Sequence, residues 1–297
     1  MTTRPTRRLR ELLAGPDLVV APGVADALNA RIVAETGFEA IYMTGGGTTA
    51  VHLGMPDLGL LTMSEMVDNA GRIADASGLP VISDADTGYG GPINVIRTVR
   101  AFEKSGVAGI HIEDQDWPKR CGHLAGKRII STANMVAKIR AACDARIDED
   151  FVIIARTDAL AVEGMDAALD RARAYEEAGA DMIFVEAPGS REEIARIPNA
   201  LKGPALFNMA SSGKTPYLSG NEIKEAGFKL AIYPNFALLS AITAVRRTLR
   251  ELKRVGTVEH IVDDIASFRD WFDLIGMKEV QEMEARYGVD EAARAGY

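Results

Sequence analysis

Five times in this chain a helical pattern stops at a glycine and an apolar run begins almost at once. The stretches are ETGFEAIY, DASGLPVIS, KSGVAGIHI, EAGADMIFV and EAGFKLAIY. Glycine accepts the left-handed conformation that closes a helix at little steric cost. Gly37, Gly78, Gly106, Gly179 and Gly227 are therefore predicted to cap helices and turn the chain into strands. A repeated helix–glycine–strand unit restricts the chain to an α/β fold built on a mostly parallel sheet.

Eight short runs read as strands, at 18–21, 40–44, 80–84, 108–113, 151–156, 182–186, 205–208 and 229–233. Most are almost continuously apolar, as parallel strands covered on both faces must be. Helical patterns lie between them, among them 25–36, 64–77, 93–105, 132–145 and 165–178. Eight strands with intervening helices in 297 residues favour one closed (β/α)8 TIM-type barrel over an open doubly wound sheet. The G-x-G-x-x-G phosphate turn that would support the open sheet is absent after the first strand. The stretch 257–297 holds no strand, and helices are predicted at 258–266, 268–276 and 277–287. The chain 1–297 thus reads as a single barrel domain with 257–297 as a C-terminal helical extension. Those helices either cap their own barrel or reach a neighbouring subunit.

A net charge of -8 argues against nucleic acid as a partner. No apolar run approaches the ~18 residues of a membrane span, so no membrane association is expected. The basic N-terminal stretch reads as an amphipathic first helix, because its apolar part ends early, at Pro16-Asp17. Two cysteines far apart, Cys121 and Cys143, make no disulfide framework and suit a reducing cytoplasm.

In such a barrel the chemistry collects at the C-terminal ends of the strands. Those ends carry Tyr42 through Gly47, Asp84 and Asp86, Glu113-Asp114, Arg156, Glu186, Asn208 and Tyr233-Pro234-Asn235, and the loop after the second strand adds Asp57. Each acid alone reads as a cap or a surface charge. Asp57, Asp84, Asp86 and Glu113 on one mouth would repel one another without a cation between them. All-oxygen ligands suit a hard ion, most simply Mg²⁺. Gly45-Gly46-Gly47 lets backbone amides approach an anion. Arg156 at the end of a buried strand needs a partner, either a bound carboxylate or Glu186. After the fourth strand, Lys119-Arg120-Cys121-Gly122-His123 places a thiol among cations that tune it for proton transfer or attack, on what reads as a mobile lid. Cys143 lies in a helical pattern as a small core residue, and His111 falls within a strand that can face the mouth.

The run Lys119–His123 resembles the K-[KR]-C-G-H signature of the isocitrate lyase/phosphoenolpyruvate mutase superfamily. The similarity continues at Thr44-Gly45-Gly46, Pro56-Asp57, Asp84 through Gly90, Ile112 through Gln115, Ala155 through Ala159, Asn208-Met209, Gly213, Thr215-Pro216 and Tyr233-Pro234. It covers nearly the whole chain. It implies a (β/α)8 barrel that exchanges a helix between subunits in a homotetramer, a dimer of helix-swapped dimers, which would give the helical tail a purpose. The cysteine-bearing loop marks the lyase branch, similar to methylisocitrate and 2,3-dimethylmalate lyases. That branch cleaves a C–C bond in a 2-hydroxy di- or tricarboxylate to pyruvate or a related 2-oxo acid plus a carboxylate.

Carried over, the resemblance makes Asp84 the direct Mg²⁺ ligand (Mn²⁺ a possible substitute), with Asp57, Asp86 and Glu113 acting through waters. Thr44, Gly45 and Gly46 would bind the 2-oxo acid moiety, with Arg156 on its carboxylate. Cys121 would be the proton donor, and Gly122, His123, Glu186 and Asn208 would contact the second carboxylate fragment. The base is left open between Tyr42 and a hydroxide on the metal. The chain departs from methylisocitrate lyases after Tyr233-Pro234, where Asn235-Phe236-Ala237-Leu238-Leu239 holds neither their Ser nor their Arg. A smaller 2-alkylmalate therefore competes with 2-methylisocitrate as substrate, with Phe236 as an apolar wall if it faces the mouth. Rival activities on the same scaffold are oxaloacetate hydrolysis or decarboxylation and carboxyphosphonoenolpyruvate mutase chemistry. A phosphosugar aldolase would need a strand-end lysine, and these strand ends have none.

Overall fold

The computed structural model describes residues 3–122 and 126–288. Eight strands form a closed barrel in sequence order. They are β1 (Val19–Val24), β2 (Ile41–Met43), β3 (Val81–Asp84), β4 (Gly109–Glu113), β5 (Val152–Thr157), β6 (Met182–Val185), β7 (Ala205–Asn208) and β8 (Leu230–Tyr233). Every neighbouring pair is parallel, and β8 returns to β1 with Leu230 opposite Val19. The predicted barrel is the observed one. β1 runs past its apolar pattern through Pro22 and Gly23, where a side chain would overlap the backbone of Pro234.

Helices α1 (Pro5–Ala14), α2 (Ala27–Glu35), α3 (Gly45–Leu53), α4 (Met63–Ser77), α5 (Pro92–Lys104) and α6 (Thr132–Ala145) alternate with the early strands. They are followed by α7 (Leu160–Glu163), α8 (Met165–Glu177), α9 (Arg191–Asn199), α10 (Gly220–Glu225) and α11 (Phe236–Val255). The five repeat glycines all have positive φ, from 62° at Gly78 to 107° at Gly179. The local device read from the sequence is thus what stops these helices. The triple glycine does more than loosen a loop, since it opens α3. Thr44 caps that helix by accepting from the Gly47 amide at 3.3 Å.

Side-chain parity along the strands sorts the chain into two layers. Ile41, Met43, Val81, Ile110, Ile112, Ile153, Ile183, Val185 and Phe207 face outward and pack with the helices. Tyr42, Ile82, Ile154, Phe184, Leu206, Leu230 and Ile232 fill the barrel, joined by Leu9 of α1. Continuing each inward row one step further gives Thr44, Asp84, Glu113, Arg156, Glu186 and Asn208. The barrel is therefore apolar through its depth and polar only at its C-terminal end.

The chain clusters into two compact units, Met1–Leu238 and Leu239–Tyr297. The second holds most of α11, a 3-10 helix (Glu259–Asp264), α12 (Phe268–Leu274) and α13 (Met277–Tyr287). No residue of α11 is buried, and Leu239, Ile242, Val245, Leu249, Leu252 and Val255 form an exposed stripe at helical spacing.

Candidate active site

Asp84 ends β3, and the backbone turns sharply after it. Asp86 takes a left-handed φ of 46°, and its amide donates to Asp84 Oδ1 at 2.8 Å. The two carboxylates are brought together by this turn and not by strand alternation, because β3 stops at Asp84. Glycines admit the neighbouring helix. A side chain at Gly45 would overlap the Asp84 carboxylate, and one at Gly46 would lie 3.3 Å from Asp57. The N-terminus of α3 thus lies against the acids, where its amides favour negative charge.

Lys119 enters this cluster from the loop after β4. Its Nζ pairs with Asp57 Oδ1 and lies 2.7 Å from Asp86 Oδ1. Beyond that ion pair, Asp86 Oδ1 and Glu113 Oε1 are buried without a hydrogen-bond partner among the described residues. Burial disfavours the ammonium, but Asp86, Glu113, Asp57 and Asp84 outweigh it and hold Lys119 well above the ordinary lysine value. Burial likewise pushes Asp86 up to about 6, helped by the charges of Asp84 and Asp57 and opposed by Lys119. Glu113 is raised well above its usual range by burial, against the pull of Arg156 and Lys119. On Asp84, burial is outweighed by His111, Lys119 and Arg156, and its pKa falls.

Beneath the acids, Tyr42 OH lies 2.9 Å from His111 Nε2 and 3.5 Å from Asp84 Oδ2. Burial lowers His111 to about 4 and, with the Asp84 charge, raises the Tyr42 phenol well above 10. On the opposite side, Arg156 is gripped at Nε and Nη2 by Asp158, at 3.0 and 3.2 Å. Its remaining edge faces Glu113 Oε2 at 3.3 Å and Glu186 Oε1 at 3.5 Å, and its plane lies over Phe184 at 5.0 Å. Asn208 Nδ2 donates to Glu186 Oε2 at 3.0 Å.

Gly122 comes down onto this pair, and a side chain there would overlap Glu186 and Arg156. Cys121, beside it, is half-buried. Thr44 Oγ1 reaches Asn235 Oδ1 at 3.3 Å, which ties the first glycine turn to the loop after β8. Phe236 is 37% exposed and leans on Tyr233. His123 lies outside the described residues.

The structure therefore gathers Tyr42, Thr44, Gly45, Gly46, Asp57, Asp84, Asp86, Glu113, Gly122, Arg156, Glu186 and Asn208 at one mouth. Sequence reasoning assigned no role to Asp158, Lys127 or Gln115, and it read Lys119 as a neighbour of the thiol. Asp158 was findable, since an acid two residues after a strand-end arginine is placed to grip it. The partners of Lys119 were not, because Asp57 is 62 residues away in sequence.

The charges at this mouth do not balance. Carboxylates of Asp57, Asp84, Asp86, Glu113, Asp158 and Glu186 face the cations of Lys119, Lys127 and Arg156. Burial is the main cause of the raised pKa values of Asp86 and Glu113, and the neighbouring carboxylates add to it. Among the described residues no three acid, His or Cys side chains are drawn together at ligand distance.

Fold and site together define a (β/α)8 barrel with an acid-lined mouth and a thiol-bearing loop, and residues 9–253 match the family model of phosphoenolpyruvate phosphomutase. The chain belongs to the phosphoenolpyruvate mutase/isocitrate lyase superfamily. It is 47% identical over 280 residues to 2,3-dimethylmalate lyase of Eubacterium barkeri, covering 94% of this chain and 97% of that one. To 2-methylisocitrate lyase of Aeropyrum pernix it is 46% identical over 282 residues, covering 95% and 91%. Among solved structures, oxaloacetate acetylhydrolase in complex with 3,3-difluorooxalacetate superposes with a TM-score of 0.92 at 42% identity, covering 97% and 98%. The expected superfamily and its lyase relatives are thus found, and so is a relative with the rival hydrolase activity. No helix among the described residues is long and apolar enough to cross a membrane.

Proposed function

We propose that this chain is a divalent-cation-dependent lyase that cleaves a 2-hydroxy dicarboxylate or tricarboxylate, of the 2-alkylmalate or 2-methylisocitrate type. The products are pyruvate or a related 2-oxo acid and a carboxylate. The observation that carries this reading is the meeting of an acid cluster with Arg156 directly under Gly122, the neighbour of Cys121 in the chain. Asp84, with Asp57, Asp86 and Glu113 through waters, would hold Mg²⁺ or Mn²⁺. The cation would lower the pKa of the substrate hydroxyl and offset developing charge.

Arg156, locked by Asp158, orients the carboxylate of the 2-oxo acid half, while Thr44 and the amides of Gly45 and Gly46 receive its oxygens. Glu186 and Asn208 line the side that takes the other half. The 2-hydroxyl proton leaves to a base, and the C2–C3 electron pair passes to the departing carbon. Tyr42 would accept that proton as a phenolate, its own proton having passed to His111 Nε2, 2.9 Å from its oxygen. The Cys121 thiol then gives its proton to the departing carbon, and the thiolate regains one from solvent. General-acid help of this kind is typically worth ~10²–10⁴-fold.

One observation favours a second reading, hydrolysis of oxaloacetate to oxalate and acetate: the similarity to oxaloacetate acetylhydrolase. Incubation with Mg²⁺ and 2-methylisocitrate, 2,3-dimethylmalate, citramalate or oxaloacetate separates the two. A 2-oxo acid from a 2-hydroxy acid supports the lyase. Oxalate from oxaloacetate alone replaces it. EDTA abolishes either activity, and full turnover in EDTA would remove the cation from the reading.

The exposed stripe of α11 supports a helix exchanged between subunits in a homotetramer, and we place the enzyme in the cytoplasm.

A further inference from the structure

We propose that Gln115 and Lys127 are positioning residues for Cys121, clamping the peptide groups on either side of the thiol and fixing it relative to Arg156. This rests on Cys121 as the acid of the proposed reaction and adds what holds it.

Both ends of the Gln115 side chain are used on one residue. Nε2 donates to the Arg120 carbonyl at 2.8 Å, and Oε1 accepts from the Arg120 amide at 2.9 Å. Gln115 is 1% exposed, so the glutamine side of both bonds is shielded from solvent. On the other side of the thiol, Lys127 Nζ donates to the Gly122 carbonyl. The same ammonium pairs with Asp158 Oδ1 at 2.9 Å. Asp158 in turn holds Arg156 through two hydrogen bonds.

The base of the loop is also pinned. Gln115 and Ile129 form an antiparallel bridge, flanked by Ile130 N to Asp114 O at 2.9 Å and Asp116 N to Arg128 O at 2.8 Å. With its base fixed to the end of β4, the approach to Cys121 is set by the two clamps. A glutamine that merely filled space would not direct both its polar ends at a single peptide. A lysine that merely neutralised Asp158 would not reach Gly122. The second clamp further couples the thiol to the arginine, because Lys127 and Arg156 share one carboxylate.

The test uses the full chain in a Cys143→Ser background, where Cys121 is the one remaining thiol. Iodoacetamide alkylation of Cys121 is followed in this parent and in its Gln115→Met and Lys127→Met variants. The clamps are two part-buried hydrogen bonds from Gln115 and one buried one from Lys127, so loss of either is expected to speed alkylation roughly tenfold or more. Gln115→Glu, which keeps only the acceptor, should fall between. Thermal melting should stay close to the parent in each, which separates positioning from general unfolding. Turnover should lose roughly ten- to a hundredfold in kcat, with KM little changed, as a misplaced acid would cause.

If a Met variant does not fold, Gln115→Glu and Lys127→Gln carry the same measurement. Alkylation at the parent rate in the folded variants of both positions overturns the proposal. Alkylation needs no substrate, so the two readings fail separately. A parent inactive on every substrate sinks the lyase, and unchanged alkylation in a working lyase sinks the clamp.

Discussion

Glu113 and Asp114 are consecutive carboxylates at one strand end, both almost wholly buried, and their surroundings are opposite. Asp114 is surrounded by donors. Its Oδ2 accepts from Thr157 Oγ1 at 2.7 Å and Tyr175 OH at 2.8 Å, with Arg171 Nη1 at 3.5 Å, and its Oδ1 accepts from the Asp158 amide at 2.9 Å. Glu113 meets Arg156 with one oxygen, and the other has no hydrogen-bond partner among the described residues. Backbone parity turns one acid toward the helices and the other into the mouth. A buried acid with both oxygens answered belongs to the scaffold. One left partly unanswered is held ready for a group outside the chain.

The contrast is sharpened first at the mouth. Cys121→Ser should cost ~10²–10⁴-fold in turnover or more while leaving the melting temperature and Mg²⁺ affinity nearly unchanged. Turnover close to the parent would take Cys121 out of the reaction. On the scaffold side, Asp114→Ala leaves the Thr157 and Tyr175 hydroxyls and the Asp158 amide without their buried acceptor and should cost about 1–3 kcal/mol of unfolding free energy in urea titrations. A loss under about 1 kcal/mol would mean that the satisfied acid is dispensable and the contrast is false.

Glu113→Gln should do the reverse of Asp114→Ala. It should lower turnover roughly ten- to a hundredfold, as loss of an outer partner of a metal site does, without lowering stability. A destabilised, fully active variant would reverse the assignment.

The smallest effect is in pH. Asp86, raised to about 6, and Glu113, also raised, stabilise the fold in their protonated forms. That contribution is full below the ordinary carboxylate value and is lost as pH rises through about 6. Thermal stability in EDTA should therefore decline over this window, and added Mg²⁺ should raise it more at pH 7.5 than at pH 5. An equal shift at both pH values would disconnect the acids from the cation.

Much of the barrel was legible before any coordinates. Apolar runs locate the strands because both faces are covered, and the five glycines mark the joints because only a left-handed residue fits there. The acids, Arg156 and Cys121 were legible as residue types at strand ends. What escaped was pairing across distance. Lys119 sits among Asp57 and Asp86 through folding of the whole loop, and no local pattern announces it. Helix α3 escaped for another reason: three glycines oppose helix formation, and the Thr44 cap together with close packing against Asp84 and Asp57 overrides them. Asp84 and Asp86 read from the sequence as acids at one strand end, and it is the turn at Asp86 that joins them.

The alternation that separates Glu113 from Asp114 carries a lesson about insertions and deletions. Every reactive group on these strands shares one reading frame with the apolar filling below it. A single residue deleted from β4 before Glu113 would put Asp114 in its place, sending the answered acid into the mouth and the unanswered one under the helices. Such a chain could keep its composition and most of its stability and still lose its chemistry. Length changes in these strands should therefore be far less tolerated than substitutions, and variation should collect in the loops, where no frame is kept.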